Sequence, residues 1–128
     1  MPANGIGFCV IDDDSVLRSL IVGILRDEGM NQLASESSGE SGLKECIDKK
    51  PDLVILDINL PGTSGLDVLA SLKKLEKPPL VIMITSEATA ERVSAALKLG
   101  SNGFVVKPFT SAKLLTAVKL ALKEKLAS

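Results

Sequence analysis

The feature that most constrains this chain is a set of short apolar runs with no polar alternation, separated by segments whose apolar residues recur at helical spacing. The runs are Gly7–Ile11 (GFCVI), Asp52–Leu56 (DLVIL), Leu80–Ile84 (LVIMI) and Gly103–Val106 (GFVV), with a weaker one at Leu33 and Ala34. A strand that is apolar at every position must be covered on both faces, the condition of a parallel sheet between two helical layers. Right-handed crossovers then give an α/β fold, a (βα)5 open, doubly wound five-stranded parallel sheet.

The intervening segments carry helix signals. From Ser15 to Glu28, the residues Val16, Leu17, Leu20, Ile21, Ile24 and Leu25 trace one stripe, and Gly29 stops it. Ser37 and Glu40 have capping-box spacing before Leu43, Cys46 and Ile47, and Pro51 breaks that helix. Ser64 and Asp67 repeat the spacing before Leu69, Leu72 and Leu75, and Pro78-Pro79 ends the third helix. A fourth runs over Thr89–Leu99 with Val93, Ala96 and Leu97 inward, up to Gly100, and a fifth over Thr110–Leu126 with Leu115, Val118 and Leu122 inward. With no repeat, linker or low-complexity stretch, residues 1–128 read as a single domain.

Composition removes several classes of function. There is no His, which excludes Ser-His-Asp and Cys-His catalysis, His-based metal sites and a phosphohistidine carrier. A net charge of −1, with 15 basic against 16 acidic residues, gives no field to hold a polyanion. The absence of Trp and Tyr removes stacking platforms for bases, so no direct nucleic-acid partner is expected. Cys9 and Cys46 sit at apolar positions and read as small buried hydrophobes, not a disulfide framework. MPANGIG is no signal peptide, and no apolar run is long enough to cross a bilayer, so the expectation is a cytoplasmic protein. The lysines late in several helices read as favourable placement against helix dipoles.

A doubly wound sheet puts function at the carboxyl ends of its strands. Asp12, Asp13 and Asp14 follow the first strand and Asp57 ends the third. Thr85, Ser86 and Glu87 follow the fourth, and Lys107 and Pro108 the fifth. Asp14 and Ser15 read as caps of the first helix. Converging carboxylates of Asp12, Asp13 and Asp57 repel one another and need a counter-charge. A hard divalent cation with oxygen ligands supplies it, and Mg²⁺ is content with few protein ligands. A Lys across from such a centre suits a transferred phosphoryl group, whose oxygens all carry charge. Thr85 offers a hydroxyl to one of them, and Asp57 is the natural nucleophile, since carboxylates form aspartyl-phosphates.

The segments VIDDDS, PDLVILDINLPGTSG, VIMITSE and GSNGFVVKPF occur in this order and at suitable separations. Together they make the chain similar, over nearly its whole length, to the receiver domain of two-component response regulators. The resemblance implies a flavodoxin-like strand order 2-1-3-4-5 and a phosphorylation switch with Asp57 as phosphoacceptor. It implies Mg²⁺ bound by Asp13, Asp57 and the backbone carbonyl of Asn59, with Asp12 acting largely through water. Lys107 would contact the phosphoryl group, Thr85 would shift toward it, and Phe104 would turn inward behind Thr85. The peptide before Pro108 would be cis. Asn59 and Glu87 stand where phosphoryl lifetime is modulated, and polar residues at both resemble the chemotaxis type, with a short-lived phosphoryl group. Phe104 stands where many such domains have Tyr, and so offers no hydroxyl to a partner. Ser86 stands where Ala is common and keeps access to Asp57 open.

The implied partners are a sensor histidine kinase or phosphotransfer protein, and a downstream protein target or second copy at the face of helix four, strand five and helix five. Such a protein is no turnover enzyme: it catalyses only its own phosphoryl transfer and autodephosphorylation. Three other readings are weaker. A flavin carrier of the same fold needs a hydroxyl- and glycine-rich loop where this chain has three aspartates. An aspartyl-nucleophile phosphatase usually has a second Asp where this chain has Asn59. A pseudo-receiver interaction module is expected to lack part of the set that is complete here. Both a stand-alone receiver and a piece of a longer regulator fit the sequence.

Overall fold

A computed structural model describes residues 5–127, with the side chains of 126 and 127 left aside; the first four residues of MPANGIG lie outside the described residues. Ten elements alternate without exception. They are β1 (Gly7–Ile11), α1 (Ser15–Asp27), β2 (Asn31–Glu36), α2 (Gly39–Lys49), β3 (Leu53–Asp57), α3 (Gly65–Lys73), β4 (Leu80–Thr85), α4 (Ala90–Lys98), β5 (Gly103–Val106) and α5 (Ser111–Ala127). The strands form one sheet in the order β2-β1-β3-β4-β5, and every pairing is parallel.

The burial pattern explains the missing polar alternation. Phe8, Val10, Leu53, Ile55, Ile82 and Ile84 enter one core with Ile21 and Leu25 of α1 and Leu114 and Val118 of α5. Their neighbours Cys9, Ile11, Val54, Leu56, Val81 and Met83 enter a second core with Cys46 of α2, Leu69 and Leu72 of α3 and Ala96 of α4. Successive strand residues point to opposite faces, and both faces are dry. Cys9 and Cys46 are free thiols buried in the second core. Their shared hydrogen bond, together with burial, holds the Cys46 thiol far above its ordinary value. Among the described residues no helix is long and apolar enough to cross a membrane.

Several local expectations change. The cap of α2 is Ser38, whose hydroxyl accepts from the Ser41 N–H, so the Ser37–Glu40 capping box is one residue early. The weak second strand is a full edge strand of six residues, with Asn31 and Gln32 exposed; its polar outer face hides it from a hydropathy reading. Ser64 caps α3 through the Leu66 N–H. That helix stops at Lys73, well before Pro78-Pro79, and the Lys73 ammonium reaches the Pro79 carbonyl and the Asn102 side chain. At the end of α2, Lys50 takes a left-handed conformation with φ 51°, since the following Pro51 disfavours the helical one.

The helical stripes are also narrower than their spacing implies. Val16 is 77% exposed and Leu20 is exposed, so α1 buries mainly Ile21 and Leu25. Ile47 of α2 and Leu97 of α4 face outward. On α5 the fully buried residues are Leu114 and Val118, with Ala121 nearly so, while Leu115 and Leu122 are only partly covered. A helix lying on a sheet buries one side, and a stripe read at helical spacing includes its shoulders.

Candidate functional site

Parallel pairing brings the carboxyl ends of the strands to one edge. Ile11 stands beside Leu56 and Asp57 beside Ile84, so Asp12 emerges next to Asp57. Thr85 pairs with Val106, which sets Lys107 one residue beyond Thr85. The Lys107 N–H donates to the Thr85 carbonyl at 2.8 Å, extending the ladder past the strand end. Asp12, Asp57 and Thr85 are the buried polar or charged residues among the described ones, and all three lie here.

Each acid is held. Asp12 Oδ1 accepts the Asp14 N–H at 2.8 Å, and the Asp12 carbonyl accepts from Arg18 at 2.6 Å. Asp14 caps α1, accepting the N–H groups of Val16 and Leu17. Asp57 Oδ1 accepts the Asn59 N–H at 3.1 Å. Lys107 Nζ closes the group, donating to Asp12 Oδ2 at 2.7 Å and Asp57 Oδ2 at 3.0 Å. Exposed Asp13 completes a cluster in which one carboxylate oxygen from each of Asp12, Asp13 and Asp57 lies within 4.8 Å of the others.

Burial pushes the Asp57 carboxyl above its ordinary value; the hydrogen bond from Lys107 pulls it back in part, and the Asp12 charge pushes it further up. For Lys107, burial works against the ammonium, but its bonds to Asp12 and Asp57 and their two charges prevail and raise it. One lysine against three acids leaves an excess of negative charge among oxygen donors, two of them on buried residues. That donor set fits a hard divalent cation such as Mg²⁺.

Thr85 Oγ1 accepts the Glu87 N–H at 3.1 Å. Ser86 and Glu87 are exposed. Phe104, on β5 beside Met83, is partly buried against the second core. The Lys107–Pro108 peptide is cis.

Two residues that sequence reasoning did not single out shape this edge. Gly65 begins α3 against the Asp57 backbone: a Cβ there would collide with the Asp57 carbonyl oxygen and lie 2.7 Å from Ile58 Cα. Its place at the end of the PDLVILDINLPGTSG segment was a usable signal. Arg92 of α4 donates to Asn59 Oδ1 at 2.9 Å, and its other terminal nitrogen lies 3.6 Å from Glu87 Oε2. Nothing in the local sequence distinguishes Arg92 from any exposed helical arginine.

A five-stranded parallel sheet in this order, with an acid cluster and a lysine at its carboxyl edge, defines a flavodoxin-like fold of the receiver type. The profile of the response regulator receiver domain matches residues 8–119, and the chain belongs to that family. Its relatives include chemotaxis protein CheY-3 of Vibrio cholerae, 37% identical over 107 residues that cover 82% of each chain. Chemotaxis protein CheY of Listeria monocytogenes is 32% identical over 89% of this chain and 96% of its own. Among solved structures, a CheX–CheY–BeF3–Mg²⁺ complex from Borrelia burgdorferi superposes with a TM-score of 0.85 at 27% identity, covering 90% of this chain and 87% of that one. The chain is thus a receiver domain of two-component signalling, a signalling protein and not an enzyme of the usual turnover kind.

Proposed function

We propose that this receiver is a phosphorylation switch that carries a phosphoryl group on Asp57. The observation that carries the reading is the buried Asp57 carboxylate, held at once by Lys107 and the Asn59 N–H beside two further acids. Asp13, Asp57 and the Asn59 carbonyl would hold Mg²⁺, with Asp12 acting through water; the ion would supply charge neutralisation on the phosphoryl oxygens. Asp57 attacks the phosphorus of the donor, a phosphohistidine on a sensor kinase or phosphotransfer protein. A bond from Asp57 to phosphorus forms, and the bond to the donor nitrogen breaks with its electron pair staying on the imidazole. Lys107 stays near the transferred group and offsets its charge. That a Borrelia CheY was solved with BeF3 and Mg²⁺ supports this chemistry for a relative.

The output follows from Thr85. Its hydroxyl oxygen accepts the Glu87 N–H, and a phosphoryl group on Asp57 would offer its O–H a charged acceptor. Turning to that acceptor draws the Thr85–Glu87 loop with it, and Phe104 fills the space behind. The result is a population shift of the face formed by α4, β5 and α5, where Leu97, Val106 and Leu120 are exposed. This face would take a protein target or a second copy of the chain. Residues 1–128 act as one domain, working in the cytoplasm, with a short-lived phosphoryl group set by Asn59 and Glu87. The aspartyl-phosphatase reading is disfavoured because Asn59 supplies no acid and its side chain is engaged by Arg92.

The test is intact-mass measurement after incubation with Mg²⁺ and acetyl phosphate, beside Asp57→Asn. A Mg²⁺-dependent phosphate adduct on the wild type alone is expected. No adduct, where a known receiver gives one, would make this a pseudo-receiver.

A further inference from the structure

We infer that Arg92 is a positioning residue that slows loss of the phosphoryl group by occupying the acceptors an attacking water needs. The inference rests on the phosphoacceptor reading of Asp57.

Hydrolysis of an aspartyl-phosphate brings water to phosphorus on the side away from the Asp57 oxygen. The water oxygen forms the new bond, and the bond to Asp57 breaks with its electron pair remaining on the carboxylate. Phosphate leaves, and the water proton passes to solvent. A water poised for this step turns a lone pair to phosphorus and donates its hydrogens elsewhere, so it needs acceptors flanking the mouth of the site. Asn59 and Glu87 follow the two strands that carry Asp57 and Thr85, and both are exposed there. Their side-chain oxygens are the nearby candidates. Both face one guanidinium: Asn59 Oδ1 takes a hydrogen bond from Arg92 at 2.9 Å, and Glu87 Oε2 forms an ion pair with it at 3.6 Å. Arg92 stands on α4, close after its cap Thr89, which accepts the Arg92 N–H and fixes the turn from which the side chain reaches back. A planar fork suits this task, because its two ends serve two acceptors at once. With the guanidinium in place, both side chains are held toward Arg92, and a water must share their oxygens with it or displace it.

The experiment follows decay of the Asp57 adduct by intact mass after the phosphodonor is removed, in wild type, Arg92→Met and Arg92→Lys. Arg92→Met is expected to decay about two- to tenfold faster, the range set by releasing one hydrogen bond of ordinary net strength. Arg92→Lys keeps a cation but not the fork, and should fall between. In an Asn59→Ala/Glu87→Ala background, Arg92→Met should change nothing, which a merely structural role would not produce. In the metal-free, unphosphorylated protein, the Asn59 side-chain amide resonances should shift in Arg92→Met. Unchanged or slower decay in Arg92→Met, the same acceleration in the Ala background, or unshifted Asn59 resonances would each overturn the role of Arg92 while leaving the phosphoacceptor reading intact. Absence of any adduct on the wild type would overturn that reading and this inference with it.

Discussion

Replacing Lys107 by Met keeps the aliphatic stem and removes the cation that bridges Asp12 and Asp57. At an effective dielectric constant of about 20, unit charges at 2.7 and 3.0 Å attract by about 6 and about 5.5 kcal/mol. The Asp12–Asp57 repulsion that Lys107 offsets is about 3.5 kcal/mol at the 4.8 Å limit of their separation and larger when closer. Desolvation of the three groups cancels much of the attraction, and Lys107 keeps 20% of its side chain in solvent. Removing one partner of such a group costs about 3–5 kcal/mol, because the remaining charges stay buried and unpaired. A domain of this size has about 5–15 kcal/mol in all, so Lys107→Met should fold but unfold at much lower urea. With no Trp or Tyr, far-UV circular dichroism is the suitable probe. The loss should be largest at neutral pH without metal. It should shrink with millimolar Mg²⁺, which supplies the missing positive charge, and again as acid protonates Asp57. A loss under about 1 kcal/mol at neutral pH, the value of an exposed pair, would refute this account of the site, as would a loss independent of pH.

The raised carboxyl of Asp57 has its own signature: the folded protein holds that proton more tightly than the unfolded chain. Its contribution to stability therefore falls as pH rises from the ordinary carboxylate value of 3.8 through the raised one, by about 1.4 kcal/mol for each pH unit that separates the two. Metal-free Asp57→Asn should accordingly be more stable than wild type at neutral pH, and ¹³C NMR should show Asp57 titrating above the ordinary carboxylate value; a less stable variant or an ordinary titration would refute the assignment. Gly65→Ala should cost about 1–3 kcal/mol or more by urea unfolding and depress adduct formation, since the added Cβ must push the Asp57 backbone aside. Equal stability and adduct yield would show that the loop moves freely. Cys9 and Cys46, both buried, should react with a thiol reagent only once the protein unfolds, and fast reaction in native buffer would contradict the packing of the second core.

Much of this protein was legible in its sequence because a two-faced parallel sheet leaves a mark that needs no coordinates. Residues such as Val54, Ile55 and Leu56 are buried in succession, so the run itself announces the strand. The polar residues that follow such runs must then gather at one edge, which is why Asp12, Asp57, Thr85 and Lys107 could be grouped before any distance was known. Edge strand β2 was harder, since only Ala34 of its six residues is buried and no apolar run marks them. The helix boundary failed at α3, which ends at Lys73, ahead of the Pro78-Pro79 stop. The sequence by itself determined the layer order and the inventory of the carboxyl edge, because burial and strand direction are encoded residue by residue. Only the tertiary structure decided that Lys107 bridges Asp12 and Asp57, that Gly65 must have no side chain, and that Arg92 spans Asn59 and Glu87. Those contacts join residues of different elements and loops, up to 95 positions apart for Lys107 and Asp12, and their meeting is fixed by how helices seat on the sheet, which no local spacing records.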